Sequence, residues 1–376
     1  MATEHWAASI VVPETFLNGL AASGIGDGIV VEPFTNLFQL PMMGPLELSV
    51  GMTITSVSFQ MLDEHDGALR GTVRANGVVE ILGDSPMPAL PGSALVRGDV
   101  LVHPVIELFD DGSFRAILDL SNSELVGMEL EGIEGLDTDA EVQAQMSQML
   151  FGAVGGELFT GLAAQLGSLG LELGPEHGQL LVDLGVATGP AHIDIRDGEM
   201  IVGLPARPGQ SGHAELVEVG EAQVGIGLSS SALQTLCVRA ATEAFGSPLP
   251  LDVDIDTTDR RLGTRVRGTR LVDNERFPDL RSSLRTTLRP RLVGDHIEIS
   301  VREAWLEAPA ILPPVAILNR ASRLLGGLAS RAPLAVRVPS SARLPVRPDS
   351  DATMGVTVSA LDVTSDGVRL VISASW

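Results

Sequence analysis

The sequence predicts an α+β fold of two tandem, pseudo-symmetric domains, in which antiparallel strands are covered by one long amphipathic helix per domain. Two segments, 138–169 and 310–331, carry apolar residues at helical spacing and are longer than an ordinary helix. Most other segments alternate apolar and polar residues with period two, which is typical of strands with one buried face. The order of these segments is similar in both halves, which indicates a duplicated unit.

The first long helix is predicted from a start signal and an apolar stripe. Thr138 and Glu141 have the spacing of a capping box, and apolar residues recur at helical spacing from Val142 onwards. At about 1.5 Å per residue, this helix would be roughly 45 Å long. The second long helix has a similar stripe, and Pro313 and Pro314 are tolerable only in its first turn.

The remaining elements are shorter. Short helices are predicted over 10–24 and 229–246, and Asp-Gly or Gly-Asp pairs predict hairpin turns between neighbouring strands. Strands are predicted over 46–62, 69–81, 95–109, 114–120, 126–133, 180–186, 192–195, 200–204, 215–228, 249–255, 264–272, 284–293, 296–306, 334–338, 356–363 and 368–376. Because these turns join neighbours directly, the sheets are expected to be antiparallel.

A boundary between the two halves is predicted where Pro and Gly interrupt the periodicity, in the stretch LPARPGQSG over 204–212. This places an N-terminal domain at 1–205, a linker at 206–214 and a C-terminal domain at 215–376. The net charge also differs between the two halves. Residues 1–210 carry 6 Arg against 29 Asp and Glu, so they account for the whole net charge of −23.

This acidity bears on partners. An acidic half disfavours binding to nucleic acid and to an anionic membrane surface, although transient membrane contact is compatible with it. Two interpretations stay open: the acidic residues keep an apolar chain soluble, or they form a docking surface for a basic protein partner. The sequence does not identify such a partner.

The composition is that of a folded, apolar chain. Hydrophobic residues make up 44% and aromatic residues only 3%, with no Tyr, so Leu, Val, Ile, Ala and Met must form the interior. Such an interior suits a broad apolar cavity at least as well as a tightly packed core. All basic residues are Arg, a composition typical of a GC-rich bacterial genome. The one cysteine, Cys237, and the absence of a basic leader region favour a cytoplasmic location, with unconventional export also compatible.

The sequence contains none of the common catalytic signatures. The sequence has no Gly-x-Ser-x-Gly elbow, His-Glu-x-x-His motif, Walker loop or Cys-x-x-Cys pair. Asp252, Asp254 and Asp256 alternate along a strand, which fits either a cation site or, more simply, a solvated strand face. Cys237 lies on an apolar helix face, which favours a buried inert thiol. We therefore expect a protein that is not an enzyme and uses neither a cofactor nor a metal.

Three stretches carry a family resemblance: VVPETFLNGLAASGI (11–25), EAQVGIGLSSSALQTLCVRAATEAFG (221–246) and TSDGVRLVISASW (364–376). With the two long helices, they resemble the tubular lipid-binding (TULIP) superfamily, in its bactericidal/permeability-increasing (BPI)-like branch. The resemblance implies two barrels end to end, each a strongly curved antiparallel sheet wrapped around a long helix, with lipid held between helix and sheet. The family's secreted members have a disulfide and a basic tip, which this chain lacks, so only binding of an apolar ligand carries over.

The predicted function is non-catalytic binding, with transfer as an extension, of a lipid or another long apolar ligand in a tube between helix and sheet. The predicted ligand-binding residues lie on the apolar faces of the helices: Phe16, Leu17, Leu20, Met146, Met149, Leu150, Val154 and Leu158 in the first half, and Leu233, Leu236, Val315, Leu318, Leu325 and Leu328 in the second. Ordinary core residues would have the same pattern. The alternative is a structural or partner-binding accessory protein with the same fold and a filled interior.

Overall fold

The fold is seen in a computed structural model of the 376-residue chain. The structure describes residues 5–40, 44–63, 67–82, 93–133, 168–196, 198–210, 212–235, 251–258, 261–268, 282–307, 335–345 and 353–376. In these ranges the chain forms four antiparallel sheets, the helices α1 (Glu14–Ile25) and α2 (Pro175–Asp183), a 3-10 turn (Leu120–Asn122) and the start of a further helix over 230–235.

Twenty-one strands build these sheets. They are β1 (Trp6–Pro13), β2 (Ile29–Leu40), β3 (Gly44–Gln60), β4 (Leu69–Leu82), β5 (Ala94–Val102), β6 (Pro104–Leu108), β7 (Phe114–Asp119), β8 (Glu124–Ile133), β9 (Ser168–Leu173), β10 (Gly189–Pro190), β11 (His192–Arg196), β12 (Glu199–Pro205), β13 (Gln223–Ser229), β14 (Leu251–Thr258), β15 (Arg261–Gly268), β16 (Ser282–Val293), β17 (His296–Glu307), β18 (Ala335–Pro339), β19 (Ser341–Pro345), β20 (Thr353–Val363) and β21 (Gly367–Ser375). The count and the bounds refer to the described ranges.

The predicted fold class is wrong. The described residues are mostly antiparallel sheet, and they contain no long amphipathic helix wrapped by a sheet. The predicted helix 138–169 lies outside the described residues except for its last two positions, which belong to β9, and the predicted helix 310–331 lies wholly outside them. Helices α1 and α2 have 12 and 9 residues. Period-two alternation dominates the described chain, so sheets supply most of its apolar surfaces.

The largest sheet takes strands from both predicted halves. Its order is β11-β12-β1-β13-β21-β20-β19. Strand β1 connects the strands of the two halves, because it pairs with β12 on one side and with β13 on the other. Ile10 lies opposite both Val202 and Ile226. The sheet thus contains strands from both sides of the predicted linker at 206–214. The proposed domain limits stay a prediction.

Three further sheets complete the described fold. One has four strands in the order β10-β6-β7-β9, and the other two have five strands each, β2-β3-β4-β5-β8 and β14-β15-β16-β17-β18. Strand β18 belongs to a five-stranded sheet and β19 to the seven-stranded sheet. Only Ser340 separates these two strands, so the chain passes there from one sheet into the other. Antiparallel pairing of consecutive strands, predicted from the turns, is confirmed.

Helix boundaries differ from the prediction at two places. The predicted helix 10–24 begins only at Glu14, because residues 10–13 complete β1 and Pro13 has the extended values φ −75° and ψ 155°. The predicted strand 180–186 is wrong, since the apolar residues there belong largely to α2. Helix α2 starts at Pro175, and proline is tolerated in the first turn of a helix. A short apolar run does not by itself distinguish helix from strand.

Glycine turns account for much of the strand pairing. Gly198 joins β11 to β12 with φ 79°, and Gly294 joins β16 to β17 with φ 62°. These positive φ values are strained for residues with a Cβ atom. Strands β2 and β19 were not predicted, and the predicted strand 95–109 is divided at His103 into β5 and β6.

Most buried apolar residues of the described ranges form one continuous core. Phe59, Ile54, Met61 and Leu69 are among its fully buried side chains, and they pack with α1 and with strands of several sheets. Helix α1 is attached to β3, because the Asn18 side chain bonds both backbone polar groups of Phe59. Among the described residues, no helix is long and apolar enough to cross a membrane.

Candidate functional site

The candidate site is an apolar cavity of about 280 Å³ between the seven-stranded sheet, the four-stranded sheet and α1. Its described lining contains no charged side chain, no hydroxyl and no amide. The lining residues are Ile10, Val12, Phe16, Leu17, Leu20, Pro104, Ile106, Phe114, Ala116, Ile117, Leu118, Gly170, Met200, Val202, Val224, Ile226, Leu344, Met354, Val356 and Ile372. This volume is close to the lower end of the roughly 300–1,000 Å³ range of small-molecule pockets.

One wall of the cavity is the inner face of the seven-stranded sheet. Lining residues occur two apart on each central strand, as in the pairs Ile10 and Val12 on β1 and Met200 and Val202 on β12. Residues two apart point to the same face of a sheet. The strand register then places Val202, Ile10 and Ile226 side by side across three strands. The wall is therefore continuous, although its residues are distant in sequence.

The opposite wall comes from the four-stranded sheet. Ile106 on β6 lies opposite Ala116 on β7, and Pro104 lies opposite Leu118. Gly170 on β9 belongs to the lining as well and has φ 139°. A Cβ atom at Gly170 would lie 2.3 Å from the carbonyl oxygen of Ala116, so this close approach of β9 to β7 requires glycine.

Helix α1 closes the side of the cavity with Phe16, Leu17 and Leu20. Three side-chain hydrogen bonds hold the helix in place: Asn18 Nδ2 donates to the carbonyl of Phe59 at 3.1 Å, Asn18 Oδ1 accepts from the Phe59 N–H at 2.6 Å, and the Met61 N–H donates to Glu14 Oε2 at 2.9 Å. The three lining residues are spaced to occupy one helix face. Local periodicity was therefore sufficient to find them in the sequence.

The other predicted ligand-binding residues are placed differently. Leu233 is described and buried, but it does not line this cavity. Ten of the predicted residues lie outside the described residues: Met146, Met149, Leu150, Val154, Leu158, Leu236, Val315, Leu318, Leu325 and Leu328. For all fourteen positions a role in ligand binding stays a prediction. Sequence reasoning missed the lining residues of the strands, such as Val202 and Ile226, although their alternation was visible.

The charged clusters of the described residues lie outside the cavity lining. One of them is on the five-stranded sheet of β2–β5 and β8, where Asp99 accepts hydrogen bonds from Thr72 Oγ1 at 2.9 Å and Arg70 Nη2 at 3.1 Å. Burial alone would raise the pKa of Asp99, but these bonds and the charge of Arg97 lower it below its ordinary value. This cluster fits a structural role in the sheet.

Features that pointed to other chemistry gain no support. Within the described part of the chain, no group of three His, Cys, Asp or Glu residues is placed to hold a metal ion. The register of β14 and β15 sets Asp252 opposite Arg267 and Asp254 opposite Arg265. Cys237 lies outside the described residues.

No protein-family model matches this chain, and no curated protein is similar to it in sequence. Solved structures give distant matches. A crystal structure of lipopolysaccharide binding protein has a TM-score of 0.36 and 11% identity, over 99% of each chain. The structure of P47 from Clostridium botulinum A2 has a TM-score of 0.39 and 10% identity, over 100% of this chain and 98% of that one. At these TM-scores and identities, the two matches do not show the fold, the family or the ligand of this chain.

Proposed function

We propose that this chain binds a lipid, or another elongated apolar molecule, in the cavity between the two sheets, without catalysing a reaction. The observation that carries the proposal is the chemistry of the described lining, in which every side chain is apolar. A polar ligand group inside such a cavity would lose its hydrogen bonds to water and gain none. The buried part of the ligand should therefore be hydrocarbon.

The energetics are sufficient for such a ligand. Each buried methylene contributes about 0.8 kcal/mol, so about ten methylenes would contribute roughly 8 kcal/mol. Association itself costs at least about 4 kcal/mol in lost translational and rotational freedom. At that lowest cost about 4 kcal/mol remains, which corresponds to a dissociation constant of about 1 mM, and each further methylene that the cavity buries would strengthen binding roughly fourfold. No reactive side chain is needed for this activity.

The direct test is to identify any compound that is bound to the purified protein. Organic extracts of the natively purified chain would be examined by mass spectrometry, and a dansyl-labelled fatty acid would be titrated into the extracted protein. We expect a co-purified apolar compound and a saturable fluorescence increase with one binding site. If neither a bound compound nor saturable uptake is found, the proposal is wrong.

Two substitutions test whether the cavity is the site. Ala116→Phe adds a ring to the lining, and Val224→Asp adds a carboxylate to it, so both should weaken uptake of the dansyl probe at least tenfold. The matched control is Val30→Asp, because Val30 is 72% exposed and lies outside the lining. Equal affinity of the cavity variants and the control would show that the probe binds elsewhere. Thermal unfolding of each variant would verify that it is folded.

A second candidate function follows from the charge of the first half. Residues 1–210 carry the whole net charge of −23, and such a surface would attract a basic protein partner. In that case the chain would serve as a structural or docking protein. A partner captured at low salt and released at high salt, together with the absence of an extractable ligand, would favour this function over lipid binding.

A further inference from the structure

We infer that the indole of Trp376 covers the entrance of the apolar cavity and sets the rate at which a ligand enters and leaves. This inference rests on the proposed function, because a cover has a role only if the cavity takes up a ligand. It adds to that function a residue that controls exchange. Trp376 itself is not among the lining residues.

The exposure of the lining indicates where the entrance lies. On the side of β1 and β12, three of the four lining residues, Val12, Met200 and Val202, are buried, and Ile10 is half-buried. On the side of β13 and β21, the lining residues Val224 and Ile372 are only half-buried. Within the described lining, the cavity is therefore more accessible along β13 and β21 than along β1 and β12.

Trp376 lies at this side, directly after the end of β21. Its indole packs edge-on against the ring of Phe16, with 5.5 Å between ring centroids and 60° between the ring planes. Phe16 is one of the lining residues, so the indole contacts the cavity wall. The indole also lies on the backbone of α1 at Gly19, where a Cβ atom would be only 2.4 Å from the ring.

The attachment of Trp376 allows its side chain to move while the strand stays in place. The backbone just before it is held, since the Ala374 N–H donates to the Ala222 carbonyl at 3.2 Å and Ser375 Oγ donates to the Gly355 carbonyl at 3.4 Å. Trp376 itself is 47% exposed, so part of its surface meets solvent. An aromatic pair contributes little beyond the area that it buries, so this contact can open without unfolding the sheet.

A cover and a wall residue have different kinetic effects. A cover that leaves the bound ligand untouched slows association and dissociation by the same factor, and the dissociation constant does not change. A wall residue contacts the bound ligand, so its loss raises mainly the dissociation rate and weakens affinity. The ratio of the two rate constants therefore distinguishes these roles.

The experiment is stopped-flow fluorescence with the dansyl-labelled fatty acid and the full-length chain. Trp376→Ala should raise both rate constants by the same factor, about two- to tenfold, and leave the dissociation constant within about twofold. Gly19→Ala should act similarly, because the added methyl group displaces the indole from α1 while alanine favours the helix. Trp376→Phe should keep slower rates than Trp376→Ala, because it retains a ring.

The control and the outcomes separate this inference from the function on which it rests. Leu180→Ala removes another exposed apolar side chain, 55% exposed and outside the lining, and should leave both rate constants unchanged. Unchanged rates in Trp376→Ala and Gly19→Ala would overturn the inference and leave the proposed function intact. A change confined to dissociation and affinity would also overturn it. If the wild-type chain takes up no probe, both ideas fail.

Discussion

Asn18 is the residue that couples α1, and with it the side of the cavity, to the adjoining sheet. Its Nδ2 donates to the Phe59 carbonyl at 3.1 Å and its Oδ1 accepts the Phe59 N–H at 2.6 Å. Phe59 is buried, so Asn18→Ala would leave two backbone groups without partners, at about 1–3 kcal/mol each. We expect a lower free energy of unfolding in urea. Asn122→Ala, at an exposed amide, should change it by less than about 0.5 kcal/mol, and equal effects would contradict the prediction.

Asp99 should make stability depend on pH. Its side chain is 18% exposed, and its pKa is lowered by the bonds from Thr72 and Arg70 and by the charge of Arg97. A carboxyl whose pKa is lower in the folded state stabilises the fold above its unfolded pKa, and this contribution is lost as pH falls through the folded pKa. Asp99→Asn should therefore be destabilised most near pH 7, and its difference from wild type should shrink below about pH 4.

Urea unfolding between pH 2.5 and pH 7 would measure this difference. The matched control is Glu172→Gln, which removes an exposed ion pair with Arg115, because such a pair contributes little to stability. A constant difference between wild type and Asp99→Asn across this range would contradict the assignment.

The residues of the cavity differ in how well the sequence predicted them. Phe16, Leu17 and Leu20 follow one another on a single helix turn, so local spacing was enough to group them. Val202 and Ile226 meet only because β1 lies between their strands. That adjacency depends on the order of strands in the sheet, which hydrophobic alternation does not specify. Alternation predicts which face of a strand is buried, but it does not predict which strands lie next to it.

At the scale of elements, the close contact between β7 and β9 depends on one glycine. Gly170 has φ 139°, and a Cβ atom there would meet the Ala116 carbonyl oxygen at 2.3 Å. Gly170→Ala should cost at least about 3 kcal/mol, from backbone strain and steric overlap together. Gly198→Ala is the matched control, because Gly198 has φ 79° but open space around its Cβ position. It should cost only about 1–2 kcal/mol, from strain alone.

Calorimetric unfolding of both glycine variants would measure these costs. A larger loss for Gly198→Ala than for Gly170→Ala would mean that β9 does not approach β7 as described. Because Gly170 lines the cavity, its substitution should also reduce uptake of the dansyl probe, whereas Gly198→Ala should not. The two readouts together connect the strand contact to the cavity.

Elements with local signals were predicted best. The turns at Gly198 and Gly294 follow from residue types that adopt positive φ, and both join the strands expected. Helix α2 was mistaken for a strand, because Pro175 and Gly174 were not recognised as a helix start and its apolar run is short. The helix signal of α1 is correct, but the apolar residues Ile10 to Pro13, which the pattern assigns to its first turn, belong to strand β1. The errors occur where two elements adjoin without a polar turn.

At the scale of the whole molecule, the arrangement of sheets could not be deduced from the chain order. Strands β12 and β13 belong to different predicted domains, yet β1 lies hydrogen-bonded between them. Strand β21 then pairs with β13. The prediction of one sheet per half assumed that strands pair with their neighbours in sequence. The pairing of strands that are distant in sequence depends on how all the apolar faces pack together. The pattern of a single strand does not contain this information.

This sheet should make the two ends of the chain unfold together. Ser9 on β1 is fully buried, and its Oγ donates to the Glu215 carbonyl at 2.6 Å, which adds a further link between the halves. We expect backbone amides of β12 and β21 to exchange hydrogen with one opening free energy and one dependence on urea, because β1 and β13 connect them. Native-state hydrogen exchange measures both quantities. Ser9→Ala should lower protection in both strands equally. Loss of protection in β21 at lower urea, with β12 still protected, would show that the two halves open independently despite the shared sheet.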